Sequence, residues 1–114
     1  LRELKKLVNK LDTGDLIFYA GDFNLHYQSK TYAYAKNVLN SEADYPNSSI
    51  KHTANFKDQD YYPASGKPSW IDFIFINKKK IKGVKTKILE PKVWFKKKKK
   101  RISDHNPIIS TIKL

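Results

Sequence analysis

Three polar clusters hold the side chains with the most obvious chemistry, and each is attached to an apolar run. The first is Gly21-Asp22-Phe23-Asn24, directly after Leu16–Ala20. Asp22 and Asn24 are two positions apart, so in extended chain they project to the same side. A carboxylate there binds a metal ion or orients water, and a neighbouring amide donates hydrogen bonds to a phosphoryl oxygen. Gly, Asp and Asn are also ordinary turn residues, which is the plainer reading of the cluster. The second is the carboxylate of Asp72 inside Trp70-Ile71-Asp72-Phe73-Ile74-Phe75-Ile76. A charge among strand-forming apolar residues is costly unless it is partnered. An acid that orients a histidine and stabilises its cationic form has such a partner, as does an acid bonded to backbone at a bulge. The third is Ser103-Asp104-His105-Asn106-Pro107. Histidine is the side chain suited to take a proton from water near neutral pH. Asp104 and His105 cannot share one strand face, which assigns metal to one and protons to the other.

The elements that must position these clusters follow from periodicity and punctuation. Leu4, Leu7, Val8 and Leu11 recur at helical spacing and predict an amphipathic helix, stopped by Asp12-Thr13-Gly14-Asp15. Leu16–Ala20 reads as a buried strand. Ser29 caps a helix over Lys30–Leu39 with Tyr32, Ala35 and Leu39 inward. Residues 40–49 read as a polar loop, 50–56 as a short strand and 57–69 as a loop with Pro63, Gly66 and Pro68. Trp70–Asn77 is the second clear strand. Residues 81–93 make one or two more, Lys96–Arg101 is an exposed basic run, and Ile108–Leu114 is a final strand. This order predicts a mixed α/β layer arrangement with polar clusters at strand ends.

Composition bounds the classes. At 114 residues the chain is the size of one small domain, and 39% hydrophobic with 13% aromatic content argues for a folded protein. The absence of cysteine excludes disulfides and thiolate metal sites. No apolar run approaches the roughly 18 residues of a membrane-spanning helix. Twelve lysines and Arg101 against the single acid Glu90 between Lys78 and Arg101 account for the whole net charge of +12. Basic character confined to one segment points to a local contact with an anionic surface, or to a solvated lysine-rich loop.

Taken in order, GDFN, an aromatic-rich strand with a central Asp, and SDHNP resemble the endonuclease/exonuclease/phosphatase superfamily, whose fold is DNase I-like. The resemblance covers Leu16 to the C-terminus. It implies the C-terminal half of a four-layer α/β sandwich with two packed mixed sheets, residues 1–114 forming one partial domain. It also implies roles. Asp22 is similar to the acid that orients the attacking water and contacts metal, and Asn24 to the phosphate-stabilising amide. Asp72 is similar to the acid that orients the general base His105, and Asp104 to a metal-associated carboxylate. The implied cofactor is Mg²⁺ or another divalent cation. Asn, Glu and His or Tyr motifs that the family carries before its GDFN block are absent here, and His26 and His52 lie after it. The chain is therefore expected to be a portion of a longer one.

Two further segments resemble the bacterial sphingomyelinases: His52-Thr53-Ala54-Asn55-Phe56, and Ile88-Leu89-Glu90-Pro91-Lys92 followed by Trp94-Phe95. That resemblance implies hydrolysis of sphingomyelin to ceramide and phosphocholine by a secreted, membrane-peripheral enzyme. A β-hairpin would present Trp94 and Phe95 to the bilayer, with Lys96, Lys97 and Lys98 alongside. Aromatics favour the membrane interface, and adjacent lysines favour anionic headgroups. Three other readings stand beside it. Trp94 and Phe95 can pack inward. A nuclease would use the same lysines on backbone phosphates. A catalytically incomplete fragment would bind membrane or partner without turnover.

Overall fold

The computed structural model describes residues 1–11, 16–55 and 67–114. The turn expected at Asp12–Asp15 and most of the loop expected at 57–69 lie outside these residues. Two α-helices, seven strands and a single 3-10 turn at Lys78–Lys80 make up the regular structure of the described residues: α1 (Arg2–Leu11), β1 (Phe18–Asp22), α2 (Lys30–Leu39), β2 (Glu42–Ala43), β3 (Asp72–Ile76), β4 (Gly83–Ile88), β5 (Lys92–Phe95), β6 (Lys98–Arg101) and β7 (Ile108–Lys113). The α/β class read from the sequence holds. Where mixed sheets were expected, every described pairing is antiparallel. β3 is central in a three-stranded sheet ordered β1-β3-β2, while β4 pairs with β7 and β5 with β6.

The core forms because alternate residues of β3 divide between two faces. Phe73 and Phe75 are fully buried and meet Tyr19 of β1 and Tyr32, Ala35 and Leu39 of α2. Aromatic rings dominate this contact: Phe23 meets Phe75 edge-on at 4.9 Å, and Tyr32 stacks on Phe75 at 5.8 Å. α2 starts at Ser29, whose hydroxyl accepts from the Tyr32 N–H at 3.1 Å. It stops at Asn40 in the left-handed conformation. Burial raises the Tyr32 phenol above its ordinary pKa, an effect partly opposed by the hydrogen bond it accepts from Ala43 N–H. The phenol therefore stays neutral at physiological pH and ties α2 to β2.

Several boundaries differ from the expectations. β1 begins at Phe18 and runs on through Gly21 and Asp22, so Asp22 belongs to the ladder instead of following it. Residues 50–55 form no regular strand: only Ala54 makes bridges, to Ser69 and His105. The polar loop at 40–49 contains the two-residue β2, recruited by pairing with β3 despite its polar composition. Among the described side chains of the α1 apolar stripe, Leu4 and Leu7 are exposed, Leu7 at 54%, and Val8 packs on the core. Most of the basic run is strand: Lys98–Arg101 pairs with Lys92–Phe95, and Arg101 is 6% exposed.

Phe75→Ala should cost about 3–5 kcal/mol of stability through the cavity left in the aromatic cluster. Phe18→Ala, at a residue 42% exposed, should cost about 0.5 kcal/mol or less. Urea unfolding followed by circular dichroism measures both.

Candidate metal and phosphate site

β1 and β3 are in a register that pairs Asp22 with Asp72. Directly opposed residues of an antiparallel pair project from the same face. The core takes the face bearing Tyr19, Phe73 and Phe75, so the two carboxylates stand on the opposite face. Like charges in that position repel. Here an imidazole lies beside them: Nδ1 of His105 is 2.9 Å from Oδ2 of Asp72. Ligand atoms of Asp22, Asp72 and His105 all fall within 4.8 Å of one another. An open depression of about 280 Å³ adjoins them, bordered by Ala20, Ile74, Asn106 and Pro107.

Local backbone geometry presents each group. Gly21 has φ +152°, a conformation that side chains rarely adopt, although nothing lies within 4 Å of where its Cβ would stand. The constraint is therefore the backbone and not space. Asp22 Oδ1 accepts from the Asn24 N–H at 2.8 Å, closing a side-chain turn that puts Asn24 at φ +51°. Beyond β1 the ladder continues irregularly, with Phe23 N–H donating to Ile71 O and Tyr27 N–H to Trp70 O. Asp22 and Asn24 are exposed, while Asp72 and His105 are half-buried. Ser103 Oγ accepts from the His105 N–H at 3.1 Å and turns the chain so that the imidazole, not its neighbour, faces Asp72.

Asp104 lies outside the cluster of Asp22, Asp72 and His105. Its carbonyl accepts from Asn55 N–H at 2.9 Å, and its carboxylate is 3.4 Å from Ser103 Oγ. The physical reason is the one that separates neighbours in extended chain: with His105 turned toward Asp72, Asp104 projects elsewhere. Two holders of the site carried no assignment from the sequence. Thr53 Oγ1 accepts from the N–H groups of Ile71 and Asp72, and the buried Asn106 donates its side-chain amide to His52 O. Thr53 stood out in the sequence only as a member of the His52–Phe56 segment, and its hold on β3 emerges when the strands assemble. Asn106, between a histidine and a proline, was visible only as part of SDHNP.

The donor set suits a hard divalent cation. Mg²⁺ binds through one or two carboxylates and completes its shell with water and substrate phosphate. Asp22 offers an exposed carboxylate of that kind, Asp72 a second one already held by His105.

Trp94 and Phe95 lie in the β5–β6 hairpin and are 71% and 49% exposed, so neither packs inward. Lys96 and Lys97 form its two-residue turn, both at positive φ. Lys99 sits over the Trp94 ring at 5.6 Å, and Lys96 and Lys100 over Phe95 at 5.3 and 5.7 Å. At the base, the Arg101 guanidinium donates to the carbonyls of Asn55 and Ser103. No helix among the described residues is long and apolar enough to cross a membrane.

Among solved structures, 96% of the chain superposes on beta toxin of Staphylococcus aureus, with a TM-score of 0.76 and 23% identity. The fold is shared. SmcL matches over 98% of the chain, with a TM-score of 0.70 and 22% identity. A doubly substituted form of the toxin, crystallised with bound magnesium ions, matches over 96% with a TM-score of 0.71 and 22% identity. The chain spans 42–44% of the length of these proteins. No protein-family model and no curated protein matches the sequence.

Asp22→Asn should lower Mg²⁺ affinity by about tenfold or more, because it replaces one of the few carboxylate charges of the site by a neutral amide oxygen. Isothermal titration calorimetry on the folded variant measures it.

Proposed function

We propose that the chain carries the C-terminal part of the active site of a divalent-metal-dependent phosphodiesterase, and that its substrate is sphingomyelin. The observation that carries this reading is the Asp72–His105 pair at 2.9 Å standing beside Asp22 on one sheet face. Asp72 occupies Nδ1 and so leaves Nε2 of His105 to take a proton from water as it attacks phosphorus. The P–O bond to the ceramide oxygen breaks, that oxygen takes up a proton, so that the one lost by water is returned, and ceramide and phosphocholine are the products. Asn24, held beside Asp22 by the side-chain turn, offers its amide to a phosphoryl oxygen. When bound by the carboxylates, magnesium supplies positive charge against the phosphate oxygens. The remaining first-half groups expected of the superfamily would have to come from outside residues 1–114. Likeness in fold to a bacterial toxin whose crystals hold magnesium supports the metal dependence.

The choice of a lipid substrate rests on the hairpin. An exposed Trp94–Phe95 pair backed by Lys96, Lys97 and Lys98 suits an interface where rings enter the headgroup layer and cations stay wet. Lysine at both turn positions is costly, since a left-handed non-glycine residue loses roughly 1–2 kcal/mol. Retaining charge there despite that cost fits a tip that contacts anionic headgroups. The protein is read as secreted and acting at the membrane periphery. A nuclease reading is favoured by the same hairpin, because Trp94 can stack on a base while lysines track phosphates.

His105→Ala should reduce kcat/KM on sphingomyelin vesicles by about 10²–10⁴-fold without unfolding the full-length protein, the range for loss of a general base. Wild-type turnover by that variant would refute the assignment. With plasmid DNA run in parallel, hydrolysis of DNA alone would favour the nuclease. Trp94→Ala with Phe95→Ala should weaken vesicle binding while sparing a soluble phosphocholine ester; equal loss on both substrates would remove the docking role. Replacing Lys96-Lys97 by Asn-Gly should raise thermal stability, because that pair suits the turn, yet lower affinity for anionic vesicles in sedimentation assays.

A further inference from the structure

The segment His52–Asn55 does no work in the chemistry above, yet it joins both parts of the site. Thr53 is at its centre and is 0% exposed. Its N–H donates to Ser69 O at 3.0 Å, and its carbonyl accepts from Asn106 N–H at 2.6 Å. Ala54 bridges Ser69 on one side and His105 on the other. The Thr53 hydroxyl accepts from two consecutive main-chain groups, Ile71 N–H at 3.1 Å and Asp72 N–H at 3.0 Å.

Consecutive N–H groups of a regular strand point to opposite sides, so both reaching one oxygen means that the backbone bends at the start of β3. A hydroxyl oxygen has two acceptor lone pairs, and this one uses both. The bend lies at the residue whose carboxylate holds His105, while the Thr53 carbonyl fixes the residue that follows His105. One buried side chain thus sets the approach of Asp72 and its main chain sets that of His105. We propose that Thr53 is a positioning residue: its hydroxyl sets the bend that aims Asp72 at Nδ1 of His105. The activity part of this inference rests on the phosphodiesterase reading, and the spectroscopic part does not.

A packing role and a positioning role predict opposite rankings of two small substitutions. Thr53→Val keeps the shape and removes the acceptor, whereas Thr53→Ser keeps the acceptor and removes a methyl group. The test uses the full-length protein, sphingomyelin vesicles with Mg²⁺, and the low-field proton resonance of His105 Nδ1. Thr53→Val should lower kcat by about 100-fold, the scale of a displacement near 1 Å, and should lose the resonance. KM should stay within about twofold, since ground-state binding is not touched. Thr53→Ser should keep the resonance and stay within about threefold of wild type, because a buried acceptor matters more here than a methyl group. In an Asp72→Asn background, Thr53→Val should cost less than about twofold more, because residues acting through one group are not additive.

A Thr53→Val protein with wild-type kcat and an intact resonance would overturn the proposal. So would a Thr53→Ser protein more impaired than Thr53→Val, or effects that multiply in the double variant. Should Thr53→Val not fold, Thr53→Cys replaces it under the same criteria, since a thiol is a weak acceptor. A wild-type protein inactive on sphingomyelin defeats the substrate reading, and the resonance in the variants still decides the role of Thr53.

Discussion

Two carboxylates facing each other across one rung of an antiparallel ladder are the constraint on which this structure turns. Asp22 and Asp72 share that rung and that face, and an unrelieved pair of like charges so placed destabilises a sheet. The His105 imidazole against Asp72 and an open side at Asp22 relieve it in different ways. One carboxylate is committed to a protein partner, and the other is left to solvent or a cation. The two carboxylates thus differ in their surroundings without any difference in residue type.

That arrangement depends on the opposite face of the same strands. Phe73 and Phe75 are fully buried, and their packing with Tyr32 and Leu39 of α2 decides which way β3 is turned. A slip of one residue in the β1–β3 register would exchange the faces and send Asp72 into the aromatic cluster. The burial of apolar area and the placing of charge are therefore one event. The polar loops are then tied down by hydrogen bonds: Thr53 and Asn106 between β3 and the histidine loop, and Arg101 between that loop and the base of the hairpin. The hydrogen bonds of these buried polar groups serve to specify geometry, at a cost in desolvation.

Much of this was legible residue by residue. Ser29 and the Tyr32, Ala35, Leu39 stripe mark α2 with its cap, and the apolar, aromatic-rich run at Trp70–Asn77 marks β3, because capping and strand-forming composition are local rules. β2 was not legible, since Glu42 and Ala43 have no strand preference and pair only because β3 offers an edge. Arg101 misled for a related reason: at the end of a lysine run it reads as solvated, yet the distant main-chain carbonyl of Asn55 and the nearby one of Ser103 draw it inside. In α1 the periodicity was plain, and the exposure of Leu4 and Leu7 was not, because amphipathic spacing says that a face exists and not that something covers it.

By itself the sequence determined the vocabulary: which residues carry charge, amide or imidazole, which runs form strands, and where the positive charge collects. Motif order suggested which chemistry those groups share. Tertiary structure alone decided that Asp22 and Asp72 oppose each other, that His105 and not Asp104 meets them, and that Thr53 holds the bend between. The reason is range. Propensity and pattern act over a few residues, whereas Asp22, Thr53, Asp72 and His105 are brought together only by strand register and by hydrogen bonds between distant loops.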